Sequence, residues 1–466
     1  MSDSAQIIPK PTSQFLSVLR IRKFMIFAIS QAVSLFGDKL DYMALLAMIA
    51  YFAKLYHWEQ ARAISFLSVI ITLPTIVFGP LAGVLVDRWN RVKMMIICDS
   101  ARALLVALIP LLILQTGNLF LVYAIAFFVF LFGLFFNTGR LSVIPNLVSP
   151  RRLLAANSFI NLIGRVSTFL GMLIGGILVD WQIWRKIGIR HSWSAGFYLD
   201  SLTYWVSVIA LITIARELTH KRTPNSAPSP SGLAFEKKDS EFKIQNTATS
   251  QPADSELIKA VKSTVSDIKQ AYYVIRQLPP VLFVYASIFL LVILGAAVFV
   301  LFVPIIQEAR TELGLGLGTK GVGFIGAIGS IGLMLSSMIY GITGHRLKKW
   351  QVILVSFFIL GIIACLLALL KTFIFVVPLA LIAGLLLSPI LIASDTLLHE
   401  NVPEAARGRI FSTREWILHL SFAFAAFLIG QLTIFIPKRS LLFGIGAFVI
   451  ILSIIGFWII KDKKIG

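Results

Sequence analysis

Twelve times along its 466 residues this chain strings together about 20 or more mostly apolar residues. At 1.5 Å per residue, a helix of that length crosses the ~30 Å hydrocarbon core of a bilayer. Inside lipid only helices and closed barrels satisfy their own backbone polar groups, so runs this long read as spanning helices. They fall at 24–53, 61–86, 92–115, 118–140, 154–181, 195–215, 280–306, 319–344, 350–370, 373–398, 413–436 and 439–460. Most are apolar all round, so periodicity adds little, and small residues, prolines and charges mark their ends. Charged residues make up only 14% of the chain against 58% hydrophobic. That polar share is too small to cover a soluble domain of this size, so the chain reads as an all-α membrane protein.

Charge orients the helices. The net charge is +20, with cations gathered at Arg20–Lys23, Arg88–Lys93, Arg151–Arg152, between Arg216 and Arg276, at Arg346–Lys349, Arg407–Arg414 and Lys461–Lys464. If twelve helices alternate, all of these lie on one side. The positive-inside rule makes that side cytoplasmic and places both termini there. Arg185, Lys186 and Arg190 are the main cations on the opposite side. Anionic lipid headgroups account for the basic balance without nucleic acid. The polar, Pro-containing start of the chain does not fit a cleaved signal peptide. Cys98 and Cys365 both fall within predicted spans, which argues against a disulfide scaffold or a metal site. No Walker loop, HExxH pair or GxSxG elbow occurs, so no cofactor and no enzymatic chemistry are expected.

The chain divides in two. Residues 1–23 form a cytoplasmic N-terminal segment, 24–215 a first six-helix bundle, 280–460 a second, and 461–466 a cytoplasmic tail. Between the bundles, 216–279 reads as a cytoplasmic linker, polar up to Glu256 and then amphipathic through Leu257, Val261, Val265, Ile268, Tyr272 and Ile275. GVLVDRWNRVK, from Gly83 to Lys93, has a degraded copy in GITGHRLKKWQ, from Gly341 to Gln351. Gly83 aligns with Gly341, Asp87 with His345, Arg88 with Arg346 and Arg91 with Lys349. A basic turn repeated once per half marks a protein built by duplication, the best sequence pointer to a secondary transporter. Close helix contacts are expected at Gly171–Gly176 and along the glycines Gly321 to Gly332.

Ionisable side chains at lipid depth are costly, about 2.5–3.5 kcal/mol or more, and so mark function. The first span carries Asp38, Lys39 and Asp41. Asp38 and Asp41 are three apart and share a helix face, while Lys39 points about 100° away. Mutual repulsion and burial both favour taking up a proton, as a coupling site requires. Neutralisation of one acid by Lys39 is the structural alternative. Asp99 and Arg102 form an i,i+3 pair cheap to bury, suited to structure as much as to function. Arg165 has no acid on its own helix, so Asp41 or Asp200 could balance it, or it could face a central cavity and attract anionic or polar substrate groups. Asp200 falls towards the outer end of the sixth span, near headgroup depth, and Asp395 has His399 one turn on as a local partner.

Several stretches resemble the major facilitator superfamily, and within it the third drug:proton antiporter family. They are SLFGDKLDYMAL, GPLAGVLVDRWNRVK, CDSARALL, FFNTGRLSVIPNLVSPRRLLAAN, FYLDSLTYWVS and ENVPEAARGRIFS. The resemblance implies the major facilitator fold, twelve transmembrane helices as two pseudo-symmetric six-helix bundles. In that superfamily the acid of the basic turn closes an inner gate, which maps here to Gly83, Asp87, Arg88 and Arg91, with Arg140 at a suitable depth to be the partner of Asp87. His345 stands where the second copy would have its acid, so a latch of Gly341, His345, Arg346 and Lys349 should be weak or pH-sensitive. Asn90 replaces the usual Gly, tolerable if it enters the left-handed region. Met172 replaces the Pro of the GPxxGG pattern that many antiporters carry on the fifth helix. The expected function is a secondary exporter of the bacterial cytoplasmic membrane. It would expel a small amphipathic or lipophilic compound, drug- or siderophore-like, in exchange for protons, and work as a monomer. A lysophospholipid flippase and a transporter-like sensor that moves nothing remain the alternatives.

Overall fold

The structure is a computed structural model and describes residues 18–219, 277–309 and 314–462. Among these residues it holds twelve long helices and no strand. They are α1 (Arg22–Tyr56), α2 (Gln60–Arg88), α3 (Arg91–Thr116), α4 (Leu119–Leu147), α5 (Leu153–Val179), α6 (Ser192–Thr219), α7 (Pro279–Gln307), α8 (Gly318–Thr343), α9 (Lys349–Leu369), α10 (Phe373–Asn401), α11 (Glu404–Leu432) and α12 (Lys438–Asp462). Eleven are long and apolar enough to cross a membrane, and α1 differs in carrying Asp38, Lys39 and Asp41 at mid-length. The amphipathic segment over 257–275 lies outside the described residues.

Two helices outrun their apolar stretches. α4 continues through Pro145 to Leu147, so Arg140 sits seven residues before its end rather than at it. α11 begins at Glu404, directly after Pro403, nine residues before its apolar run. Its first turns are polar, and apolar length reports only the part of a helix that lies in lipid. Within α7 the backbone widens into a π turn at Val298–Phe302. The cause is local: Pro304 lacks an N–H, and its ring excludes the carbonyl one turn back.

Packing follows the duplication. α3 packs on α4 and α6, and α9 packs on α10 and α12; α2 packs on α4, and α8 packs on α10. The halves meet along two seams related by the same six-helix shift, α5 on α8 and α11 on α2. Glycine sets the closeness of the first seam. A Cβ at Gly323 would stand 2.3 Å from the Met172 carbonyl oxygen, and one at Gly176 would stand 2.9 Å from that of Thr319. Helix backbones approach this closely only through small residues, so the glycines on α5 and α8 are the contact surface itself. Further along α8, Gly332 faces Leu381 and Gly384 on α10, which places the helix between both neighbours.

Candidate functional site

Helices α1, α3 and α6 bring four carboxylates and one guanidinium together at mid-membrane depth. Arg102 Nη2 donates to Asp38 Oδ1 at 2.5 Å, and its Nη1 reaches Asp99 Oδ1 at 3.4 Å. Tyr204 donates its hydroxyl to the same Asp38 oxygen at 2.7 Å, and its ring lies 4.1 Å from the Arg102 guanidinium carbon. Asp200 accepts from the Thr203 hydroxyl at 3.1 Å and presses on Gly37, where a Cβ would stand 2.2 Å from its Oδ1. Gly37 thus lets α6 deliver an acid against the backbone beside Asp38. Asp41, one turn further along α1, is buried, and its Oδ1 has no hydrogen-bond partner. Asp41 and Asp200 lie within electrostatic reach of each other, of Asp38 and of Arg102.

One placement departs from sequence expectation, and three bear on alternatives it left open. Asp200 is fully buried, not at headgroup depth, because α6 begins at Ser192 and carries it two turns inward. The Asp99–Arg102 pair is real but secondary, since the short contact of Arg102 is to Asp38. Lys39 pairs with neither acid; its Cβ and Cγ lie over Gly171 on α5. Arg165 pairs with neither Asp41 nor Asp200 and is exposed on the wall of a cavity. Tyr204 was not picked out from the sequence, although its i,i+4 spacing from Asp200 on one helix face was available as a signal.

That cavity, of about 540 Å³, lies between the two halves. Leu35, Arg140, Ile160, Asn161, Arg165 and Thr168 line it from α1, α4 and α5, and Ser330, Leu333 and Met334 from α8. It occupies the half of the membrane nearer the basic face, where α1 begins and α2 ends. Towards the other face, polar contacts bridge the halves around a second pocket of about 910 Å³ lined by Glu59, Gln60, Gln307 and Lys438 among others. Lys438, at the start of α12, pairs with Glu308, just past α7, and with Glu59 at 3.2 Å. Gln60 donates to Gln307 at 2.5 Å, and Gln307 donates to Thr319 at 2.8 Å. Asp180, just past α5, accepts from the Lys320 backbone N–H at 2.8 Å in the first turn of α8. Burial raises the pKa of this carboxyl, and the backbone amides of Lys320 and Thr319 oppose the rise. A carboxylate at a helix N-terminus is also favoured by the helix dipole. None of these closing residues stood out in the sequence, because a charge at a helix end looks like ordinary solvation.

The basic turn shows its symmetry at the third helix of each half. Arg91 opens α3 and donates to the Ser142 carbonyl of α4 at 2.9 Å; Lys349 opens α9 and pairs with Glu400 of α10 at 2.7 Å. Asn90 does not enter the left-handed region. Its φ is −67°, and its side chain caps α3 by accepting from the Lys93 N–H at 3.1 Å. α8 runs through Gly341, where an added Cβ would meet nothing within 4 Å, and Arg346 is exposed. The chain path includes Gly83, Asp87, Arg88 and His345, whose side chains lie outside the described set. Asp395 pairs with Arg414 across to α11 instead of with His399, whose ring packs against Phe411 at 4.6 Å, tilted by 35°.

Two six-helix bundles bridged at one face, with a cavity between them towards the other, define a multi-pass membrane transporter fold. The comparisons agree. The family model of the Major Facilitator Superfamily matches residues 27–319 and 288–465, and the chain belongs to that family. Among relatives, a Bacillus subtilis (strain 168) protein provisionally named a bacilysin exporter, BacE, is 30% identical over 158 residues, covering 34% of this chain and 37% of the relative. The uncharacterized MFS-type transporter YfiS of the same strain is 25% identical over 188 residues, covering 40% and 41%. The matches thus span about two-fifths or less of the length of these relatives. Among solved structures, the peptide transporter POT in complex with sulfate superposes with a TM-score of 0.64 at 14% identity, covering 94% of both chains. A bacterial homologue of the human lysosomal transporter Spinster, inward-facing and unoccupied, gives 0.60 at 11% identity, again with 94% of both chains covered. At such identities the likeness concerns the fold alone.

Proposed function

We propose that this protein is a proton-coupled exporter of the bacterial cytoplasmic membrane, working by alternating access with its basic face in the cytoplasm. The charge balance of the α1–α3–α6 cluster carries the reading. Asp38, Asp41, Asp99 and Asp200 surround one close cation, Arg102, with Arg140 felt only by Asp38. Burying an uncompensated carboxylate costs several kcal/mol, so the cluster reaches balance when its acids hold protons. Asp38 is the group through which a proton would enter, since its side chain is 26% exposed while Asp99 is fully buried. A proton arriving at Asp38 weakens its hold on Arg102 and Tyr204 and frees α1, α3 and α6 to shift. The far-face contacts between the halves, Lys438 with Glu59, Gln60 with Gln307 and Asp180 with the Lys320 amide, are the set that breaks when the halves rock. On the basic face, Asp87, Arg88 and Arg91 form the latch that closes in the opposite state, and Gly341, His345, Arg346 and Lys349 its weaker counterpart. The exporter names of the relatives support the direction of transport, and the cargo is a small amphipathic compound.

Proton flux in everted vesicles challenged with a compound panel tests the reading. A transported compound should change the lumen pH, and Asp38→Asn should abolish the change with expression and folding intact. A full signal in Asp38→Asn, or none in wild type with any compound, refutes proton-coupled export.

A further inference from the structure

We infer that the inter-bundle cavity is an anion site, built for small amphipathic molecules that carry a carboxylate or a phosphate. This inference rests on the transporter reading above and narrows it to a substrate class. Arg140 on α4 and Arg165 on α5 both line the cavity; the Nε of Arg140 has no hydrogen-bond partner among the described residues, and Asp38 reaches it by charge alone, without an ion pair. The described acids nearby are engaged elsewhere first. Asp38 is held by Arg102 and Tyr204, Asp99 by Arg102, and Asp41 and Asp200 are buried behind α1. Lys39, one turn beyond Leu35 on α1, lies over Gly171 of α5 and has no ion pair with a described acid.

Cations at lipid depth that no described acid pairs directly are costly, and an anionic ligand would offset that cost. A guanidinium offers a planar fork of donors that matches carboxylate and phosphate, and two of them on neighbouring helices can grip one anionic group from two directions. The rest of the wall sets the remainder of the ligand. Leu35, Leu333 and Met334 give an apolar surface, and Asn161, Thr168 and Ser330 add neutral hydrogen-bonding groups. At about 540 Å³ the cavity suits a molecule of drug or metabolite size. An amphipathic cation would meet the arginines in the same place and be repelled, which is how the site would select.

Equilibrium binding to the purified full chain in detergent tests this with a matched set: 4-phenylbutyrate, 4-phenylbutylamine, 4-phenylbutanol and lysophosphatidylglycerol. We expect the carboxylate to bind about tenfold or more tightly than the amine or the alcohol. Arg140→Gln and Arg165→Gln should each weaken carboxylate binding by about tenfold, and Arg165→Lys should restore part of it. If lysophosphatidylglycerol binds with the same arginine dependence and 4-phenylbutyrate does not, the anion comes from lipid headgroups and the site stands. The inference is overturned if the amine binds as tightly as the carboxylate, or if no anion binds. It is overturned equally if the folded Arg140→Gln/Arg165→Gln variant, with wild-type melting temperature, binds anions as wild type does. The exporter reading fails separately: in proteoliposomes, arginine-dependent anion binding without substrate-driven proton movement removes the export claim and leaves the anion site.

Discussion

Gly323→Ala adds one methyl group at the seam where α5 and α8 come closest. In the present state its Cβ would stand 2.3 Å from the Met172 carbonyl oxygen and 3.0 Å from Gly176 Cα, whereas ordinary contact begins at 3.4 Å. Both neighbours are backbone, so no side chain can swing away, and the helices must part by about 1 Å at that point. Overpacking of this kind costs about 1–3 kcal/mol. The cost falls on the state in which the far-face ends are closed, because the seam opens there in the opposite state. A penalty of that size shifts the ratio of far-face-open to far-face-closed molecules by about 5- to 150-fold. The shift can be read as a distance distribution between spin labels at Ile187→Cys and Phe435→Cys, both exposed far-face positions, after replacing Cys98 and Cys365 with Ala. Gly323→Ala should move population from the short to the long distance. An unchanged distribution in a well-folded variant would show that the seam does not report on opening, and the rocking account would lose its geometric basis.

The far-face ion pairs should act on the same equilibrium. Lys438→Met leaves Glu59 and Glu308 facing each other without their cation, and the same labels should again shift towards the open distance. The pairs are partly exposed, so the shift should match a loss of about 1–2 kcal/mol, and a distribution identical to wild type would exclude Lys438 as a closing residue. In the second half, Asp395→Asn removes the short ion-pair partner of Arg414, which is 8% exposed and keeps only Glu415 at 3.7 Å. Its stability should fall by about 1–2 kcal/mol, read as a lower melting temperature, and Asp395→Leu with Arg414→Met should recover most of it. A larger fall in the double variant than in the single would contradict this.

Sequence alone was enough for the twelve helices, the division into halves and the fold family. Each rests on apolar length, charge asymmetry or an internal repeat, and these survive without knowledge of tertiary contacts. The candidate site was legible only in pieces. Asp38, Asp41, Asp99 and Arg102 announce themselves as charges within apolar runs, but their grouping depends on how α1, α3 and α6 pack. Asp200 illustrates the limit: its distance from the helix end suggested headgroup solvation, whereas Gly37 admits it against the backbone of α1. Helix ends misled as well, because α4 and α11 continue through polar or proline-containing turns that hydropathy does not register. The far-face closure was invisible for a different reason. Glu59, Asp180, Glu308 and Lys438 occupy positions where charge needs no explanation until their partners are seen.

If protons balance the α1–α3–α6 cluster as proposed, its buried acids carry them at neutral pH and release them as the halves alternate. Infrared spectroscopy of the purified chain in lipid reads this directly, through the carbonyl stretch of protonated carboxyl groups. Wild-type protein at neutral pH should show that band, and Asp41→Asn and Asp200→Asn should each remove part of it. Absence of the band in wild type, with all four acids ionised around Arg102, would contradict the account.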